Sequence, residues 1–89
     1  MEDIDYSKIP EHMRAGMKKY VENGILGGDF QYAVLTNNFV LVCCMADSVN
    51  KENLFEWAYF LCNELPIECW GSEKKVHEWV RKKKKENKD

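Results

Sequence analysis

The sequence is poor in the residues from which active sites and metal centres are usually built. It has only two histidines, His12 and His77. Each stands beside a glutamate, Glu11 and Glu78, on a helix surface, and the two pairs face different directions. That is not a positioned acid–base pair. The four cysteines, Cys43, Cys44, Cys62 and Cys69, include no Cys-x-x-Cys pair and no close histidine spacing of a zinc module. Cys62, Cys69 and His77 are at most three scattered ligands. Cys43 and Cys44 sit in the most apolar stretch of the chain, the wrong setting for a reactive thiolate. Four packed thiols are the expectation. Gly27-Gly28 is too short for a phosphate loop and lacks the Lys-Ser/Thr pair that would follow one. No catalytic residue, no metal and no cofactor are therefore predicted, and the chain reads as a binding protein rather than an enzyme.

Long apolar runs are missing too. The longest, Phe39 to Ala46, falls far short of the ~20 residues of a membrane-spanning helix. The start, Met1-Glu2-Asp3-Ile4-Asp5, is acidic where a secretory signal would be basic and then apolar. Without export, a disulfide framework is not expected. What remains is one small domain of 89 residues with 45% hydrophobic content and net charge −2. A chain of this size buries only roughly 60–65% of its unfolded surface, so an exposed apolar face on it is suspect as an assembly surface.

The charge is unevenly placed. Residues 1–70 hold five basic and eleven acidic residues (−6), and residues 71–89 hold eight basic and four acidic (+4). The run Arg81-Lys82-Lys83-Lys84-Lys85 could grip a phosphate backbone. It equally suits a solvated helix end, where cations complement the dipole. The acidic body opposes a polyanion, and no nucleic-acid recognition signature is present.

Hydrophobic periodicity predicts an all-α fold, a small bundle of about four helices assembling as a homo-oligomer. The expected layout is an N-terminal tail over 1–8, a helical domain over 9–80 and a basic tail over 81–89. The first helix starts near Pro10, buries Met13, Met17, Tyr20 and Val21, pairs Glu11 with Arg14 on its outer face, and stops at Gly24. Gly16, on the buried side, would admit a neighbouring helix closely. The second runs from an Asp29 cap to about Ala46 through Phe30, Ala33, Val34, Asn37 or Asn38, and Leu41. Its segment 39–45 is apolar on every side, so periodicity alone leaves helix or strand open. Read as helix, it must be covered all round, and a second copy of the chain is a plausible cover. The third helix is capped by Ser48 or Asn50 and buries Leu54, Trp57, Ala58, Leu61 and Leu65. Phe55 and Cys62 widen that stripe, and Pro66 ends it. The fourth follows a Ser72 cap, with Val76, Trp79 and Val80 as its apolar face.

One stretch suggests a ligand. Trp70-Gly71-Ser72-Glu73-Lys74-Lys75 places a ring, a glycine and a hydroxyl ahead of two lysines at a helix N-terminus, where free N–H groups favour phosphate. Trp70 or Tyr20 could stack a base. With Arg14 and Lys18 these form a candidate ligand-binding set: Arg14, Lys18, Tyr20, Trp70, Ser72, Lys74 and Lys75. The competing reading makes Trp70 a core residue and Ser72 simply a cap, and Glu73 counts against an anion there.

Several stretches carry a resemblance: Ile9-Pro10-Glu11-His12-Met13, Tyr20-Val21-Glu22-Asn23-Gly24-Ile25, Gly28-Asp29-Phe30 with Ala33-Val34-Leu35-Thr36-Asn37, Ala46-Asp47 and Asn50, Phe60-Leu61-Cys62-Asn63-Glu64, Pro66, and Cys69-Trp70-Gly71-Ser72 with Lys75-Val76 and Trp79. In this order they resemble a family of short, mostly uncharacterised proteins of tailed bacteriophages and prophages. The chain departs from that family where residues 39–45 are almost wholly apolar instead of amphipathic. The resemblance implies phage origin and action in the cytoplasm of an infected bacterium. By analogy of gene context, it points to a small accessory protein that binds stoichiometrically. The expected role is counter-defence by sequestration of a host nucleotide immune signal. The alternatives are an inhibitor of a host protein, or a nucleic-acid-binding accessory acting through the lysine tail.

Overall fold

A computed structural model describes residues 4–87 of the chain. Every regular element among them is helical: α1 (Glu11–Asn23), α2 (Asp29–Leu35), α3 (Phe39–Met45), α4 (Ser48–Glu52), α5 (Leu54–Asn63), a 3₁₀ turn (Ile67–Cys69) and α6 (Glu73–Asn87). The all-α expectation holds, but the expected second and third helices are each two helices. No helix among the described residues is long and apolar enough to cross a membrane.

Asparagines make both breaks. After α2 the Thr36 hydroxyl donates back to the Tyr32 carbonyl at 2.8 Å, and Asn37 turns left-handed at φ 59°. The Asn38 side chain then accepts from the Leu41 N–H and caps α3. The left-handed region is one that asparagine tolerates better than most residues. Further on, the cap of α4 is Asp47, one residue before the expected Ser48, and its carboxylate accepts from Asn50 N–H at 2.8 Å. That bond holds the Asp47 carboxyl below its ordinary range, with the neighbouring His12 adding to the effect. Asn50 is a core residue whose side-chain oxygen accepts from the Trp57 indole N–H at 3.0 Å. Asn53 separates α4 from α5, donating its side-chain amide to Val49 O.

The core is sealed by contacts between distant parts of the chain. Tyr20 is fully buried and donates its hydroxyl to Cys69 O at 2.6 Å. The Trp79 indole N–H is shared between the carbonyls of Tyr20 and Val21, each at 3.2 Å, which locks α6 onto the end of α1. Gly24 closes α1 in the left-handed conformation, φ 70°, as its sequence position predicts. A Cβ there would stand 2.8 Å from the Lys83 Cβ. The close helix approach is thus at Gly24; Gly16 is exposed, with open space where a Cβ would lie. Gln31 is buried and its amide N–H donates to Gly16 O while its oxygen accepts from Gly27 N–H, tying α2 to α1 and the loop between them.

The expected tails belong to the folded body where they are described. Ile4 and Tyr6 pack on the core, the Tyr6 ring 5.5 Å from that of Phe60, and Asp5 N–H donates to the Glu64 carboxylate. Residues 81–87 continue α6 as helix. Lys83 is buried, its ammonium 4.8 Å above the Trp79 ring and 3.2 Å from Glu86. Indole faces attract cations and lysine stems cover apolar surface, which explains a helical course through a lysine run. The remaining tail residues, 1–3 and 88–89, lie outside the described part.

Burial also sets the response to alkali. It pushes the Tyr6 phenol and the Cys69 thiol each up to about 12, and raises Tyr20 as well, from ordinary values of 10.0 for tyrosine and 9.0 for cysteine. The unfolded chain loses these protons first. The stability they contribute is therefore complete below about pH 9 and is lost progressively between about pH 9 and 12. Urea unfolding followed by tryptophan fluorescence at stepped pH is expected to show this fall, and Cys69→Ser is expected to make it shallower.

Candidate functional site

The segment that is apolar on every side forms α3, and the chain covers it only on one side. None of its seven residues is buried. Val42 packs against the core, while Phe39, Val40, Cys44 and Met45 face outward. Opposite it lies α5, whose Trp57, Phe60 and Leu61 are buried. Phe55 and Cys62 do not widen that core stripe as their sequence positions suggested: Phe55 is 89% exposed, and Cys62 is exposed as well. The signal that finds this is a second stripe, Phe55, Tyr59 and Cys62, at i, i+4 and i+7. A helix with apolar residues on two faces cannot bury both inside one small domain. Of the four thiols only Cys69 is buried; Cys43 is half-buried and Cys44 exposed, because α3 lacks an outer layer.

Between α3 and α5 runs a groove of about 370 Å³, lined by Val34, Asn37, Phe39, Val42, Leu54, Phe55, Trp57, Ala58 and Leu61. Among the described residues, no charged side chain lines it. Phe55 and Ala58 also border the adjoining depression that holds Tyr59 and Cys62. Phe39 borders the next one on the other side, with Val40 and the polar Thr36, Asn38, Ser72 and Glu73. Shared residues thus join the three into one belt across α3 and α5. Its flanks are charged: Lys8, with the ammonium 5.1 Å from the Tyr59 ring centre, and Glu56 on one side, Glu73 on the other.

The candidate ligand set of the sequence does not converge. Arg14 does not pair with Glu11; it donates to the backbone carbonyls of Ile9 (3.0 Å) and Ser7 (3.1 Å) and fastens the N-terminal segment. Tyr20, with no exposed face, cannot stack a base. Trp70 is half-buried and packs against the core. Ser72 caps α6 by accepting from Lys75 N–H at 3.2 Å. Lys18 and Lys74 are exposed on α1 and α6, and Lys75 is half-buried beside Gly71. Cys62, Cys69 and His77 are likewise in different surroundings, on the α5 face, in the core and on α6.

A different cation-bearing groove is present. Leu26 from the α1–α2 loop faces His77, Val80, Arg81 and Lys84 of α6 across a space of about 370 Å³. The three polar residues fall at i, i+4 and i+7, on one helical face. The Tyr32 hydroxyl, 3.0 Å from His77 Nε2 and 3.4 Å from Glu73 Oε1, holds the imidazole at one end. Burial followed by the Glu73 charge keeps the Tyr32 phenol above its ordinary range, so it remains a neutral donor. Sequence reasoning missed this set because it took Arg81 and Lys84 for a tail; only the continuation of α6 and the loop carrying Leu26 bring them together. No family model, curated protein or solved structure matches this chain.

Proposed function

We propose that the chain is a small, non-catalytic binding protein that sequesters an anionic small molecule of the nucleotide class in the groove between the α1–α2 loop and α6. The observation that carries this reading is the alignment of His77, Arg81 and Lys84 along one side of a groove whose other wall is apolar. Two cations suit a phosphate, His77, held by the Tyr32 hydroxyl, supplies a hydrogen-bonding group, and Leu26 and Val80 offer a surface for a base. In a phage-encoded chain this chemistry serves counter-defence: removal of a host nucleotide immune signal in the cytoplasm of the infected cell. The test is a thermal-shift and calorimetric titration with a panel of linear and cyclic nucleotides. At least one is expected to raise the melting temperature, as any ligand that binds only the folded state does. Arg81→Glu or Lys84→Glu is expected to weaken it about ten- to a hundredfold, and Lys18→Glu to leave it unchanged. A panel without effect, or binding that survives the double charge reversal, overturns the reading.

The apolar belt favours a second reading, in which α3 and α5 dock on a host protein. Phage plating on defended hosts separates the two. Rescue lost in Phe39→Asp but kept in Arg81→Glu would assign the function to the belt.

A further inference from the structure

We infer that the α3–α5 belt is an isologous interface, closed by a second copy of this chain with Phe55 of each protomer seated in the groove of the other. Two-fold pairing requires one patch that carries both a projection and its receptacle. The belt has both. Phe55, 89% exposed, borders the groove, and Val34, Val42, Trp57 and Leu61 give it an apolar lining.

The charge distribution favours a copy over a charged stranger. Residues 1–70 carry −6, so pairing two copies through charged parts of that body juxtaposes like charges. α3 has no ionisable carboxylate or amine, and the central groove has no charged lining among the described residues, so contact there avoids that repulsion, while Lys8, Glu56 and Glu73 stand at its flanks.

The available area approaches what a stable pair needs. Phe39 (73% exposed), Phe55 and Tyr59 (50%) together present about two whole aromatic side chains. At ~150–250 Å² each, two copies bury roughly 600–1,000 Å² through rings alone. Val40, 68% exposed, and the groove walls add to this, towards the ~1,200 Å² at which stable interfaces begin.

The test is sedimentation equilibrium of the whole chain over a wide dilution series. The wild type is expected to have twice the 10.5 kDa protomer mass. Phe55→Asp removes the projection and places an acid in the first turn of α5, where the helix dipole favours it, so the protomer stays folded. Ala58→Trp blocks the receptacle from an exposed position without adding charge. Each is expected to weaken association at least roughly thirtyfold, the effect of losing a central interface anchor. Ile67→Asp, at an exposed apolar residue outside the belt, is expected to change nothing. Circular dichroism confirms that the variants fold. A monomeric wild type overturns the inference, as does a dimer that survives both Phe55→Asp and Ala58→Trp. Either result leaves nucleotide binding at α6 to be decided by its own titration.

Discussion

Gly24→Ala is expected to destabilise the protein by about 2–5 kcal/mol, from two costs that add. The residue ends α1 at φ 70°, where an L side chain costs about 1–2 kcal/mol. The new methyl would also stand 2.8 Å from the Lys83 Cβ and 3.2 Å from the Val80 Cα and carbonyl oxygen. The helix backbone cannot yield cheaply, so α6 must shift, and overpacking of this kind costs about 1–3 kcal/mol. Gly16→Ala supplies the control of opposite sign. It lies inside α1 with nothing near the added carbon, and is expected to gain about 0.5–1 kcal/mol. Urea denaturation of both variants at neutral pH checks the pair. A Gly24→Ala protein as stable as wild type would show that α6 is not held against the end of α1.

Phe60→Ala has the largest expected effect in the core, about 3–5 kcal/mol. The ring is fully buried, 5.5 Å from that of Tyr6 and 6.2 Å from that of Trp57 in an edge-on arrangement. Truncation leaves a cavity lined by two large rings that cannot both collapse into it. Domains are stable by only about 5–15 kcal/mol in all, so the variant is expected to unfold near physiological temperature. Differential scanning calorimetry would show this as a strongly lowered, less cooperative transition.

Much of this architecture is readable in the sequence, and what is missed has identifiable causes. The stripe Met17, Tyr20 and Val21, the Gly24 stop and the Ser72 cap are local signals, and the structure has them where the spacing puts them. The breaks at Asn37 and Asn53 escape because asparagine is tolerated both within a helix and at its ends. Only the left-handed turn of Asn37 and the capping bond of Asn38 decide between these. The inventory of site residues fared differently because its members were chosen by chemical type. Tyr20 belonged to a buried stripe from the start, and that pattern outweighs the stacking capacity of a phenol. Arg81 and Lys84 acquire a common surface only through a loop distant in sequence.

The bonds from Trp79 to the α1 carbonyls have a bearing on how the chain is made. They join residues 58 and 59 positions apart, and the Tyr20 hydroxyl reaches forward 49 positions to Cys69. On the ribosome, contacts among the earlier elements, such as Gln31 to Gly16 and Tyr6 to Phe60, can form first, but the end of α1 is not sealed until Val76 and Trp79 have emerged. Closure at the end of α1 therefore waits for α6, whereas the greasy α3–α5 surface is exposed on the protomer before and after it.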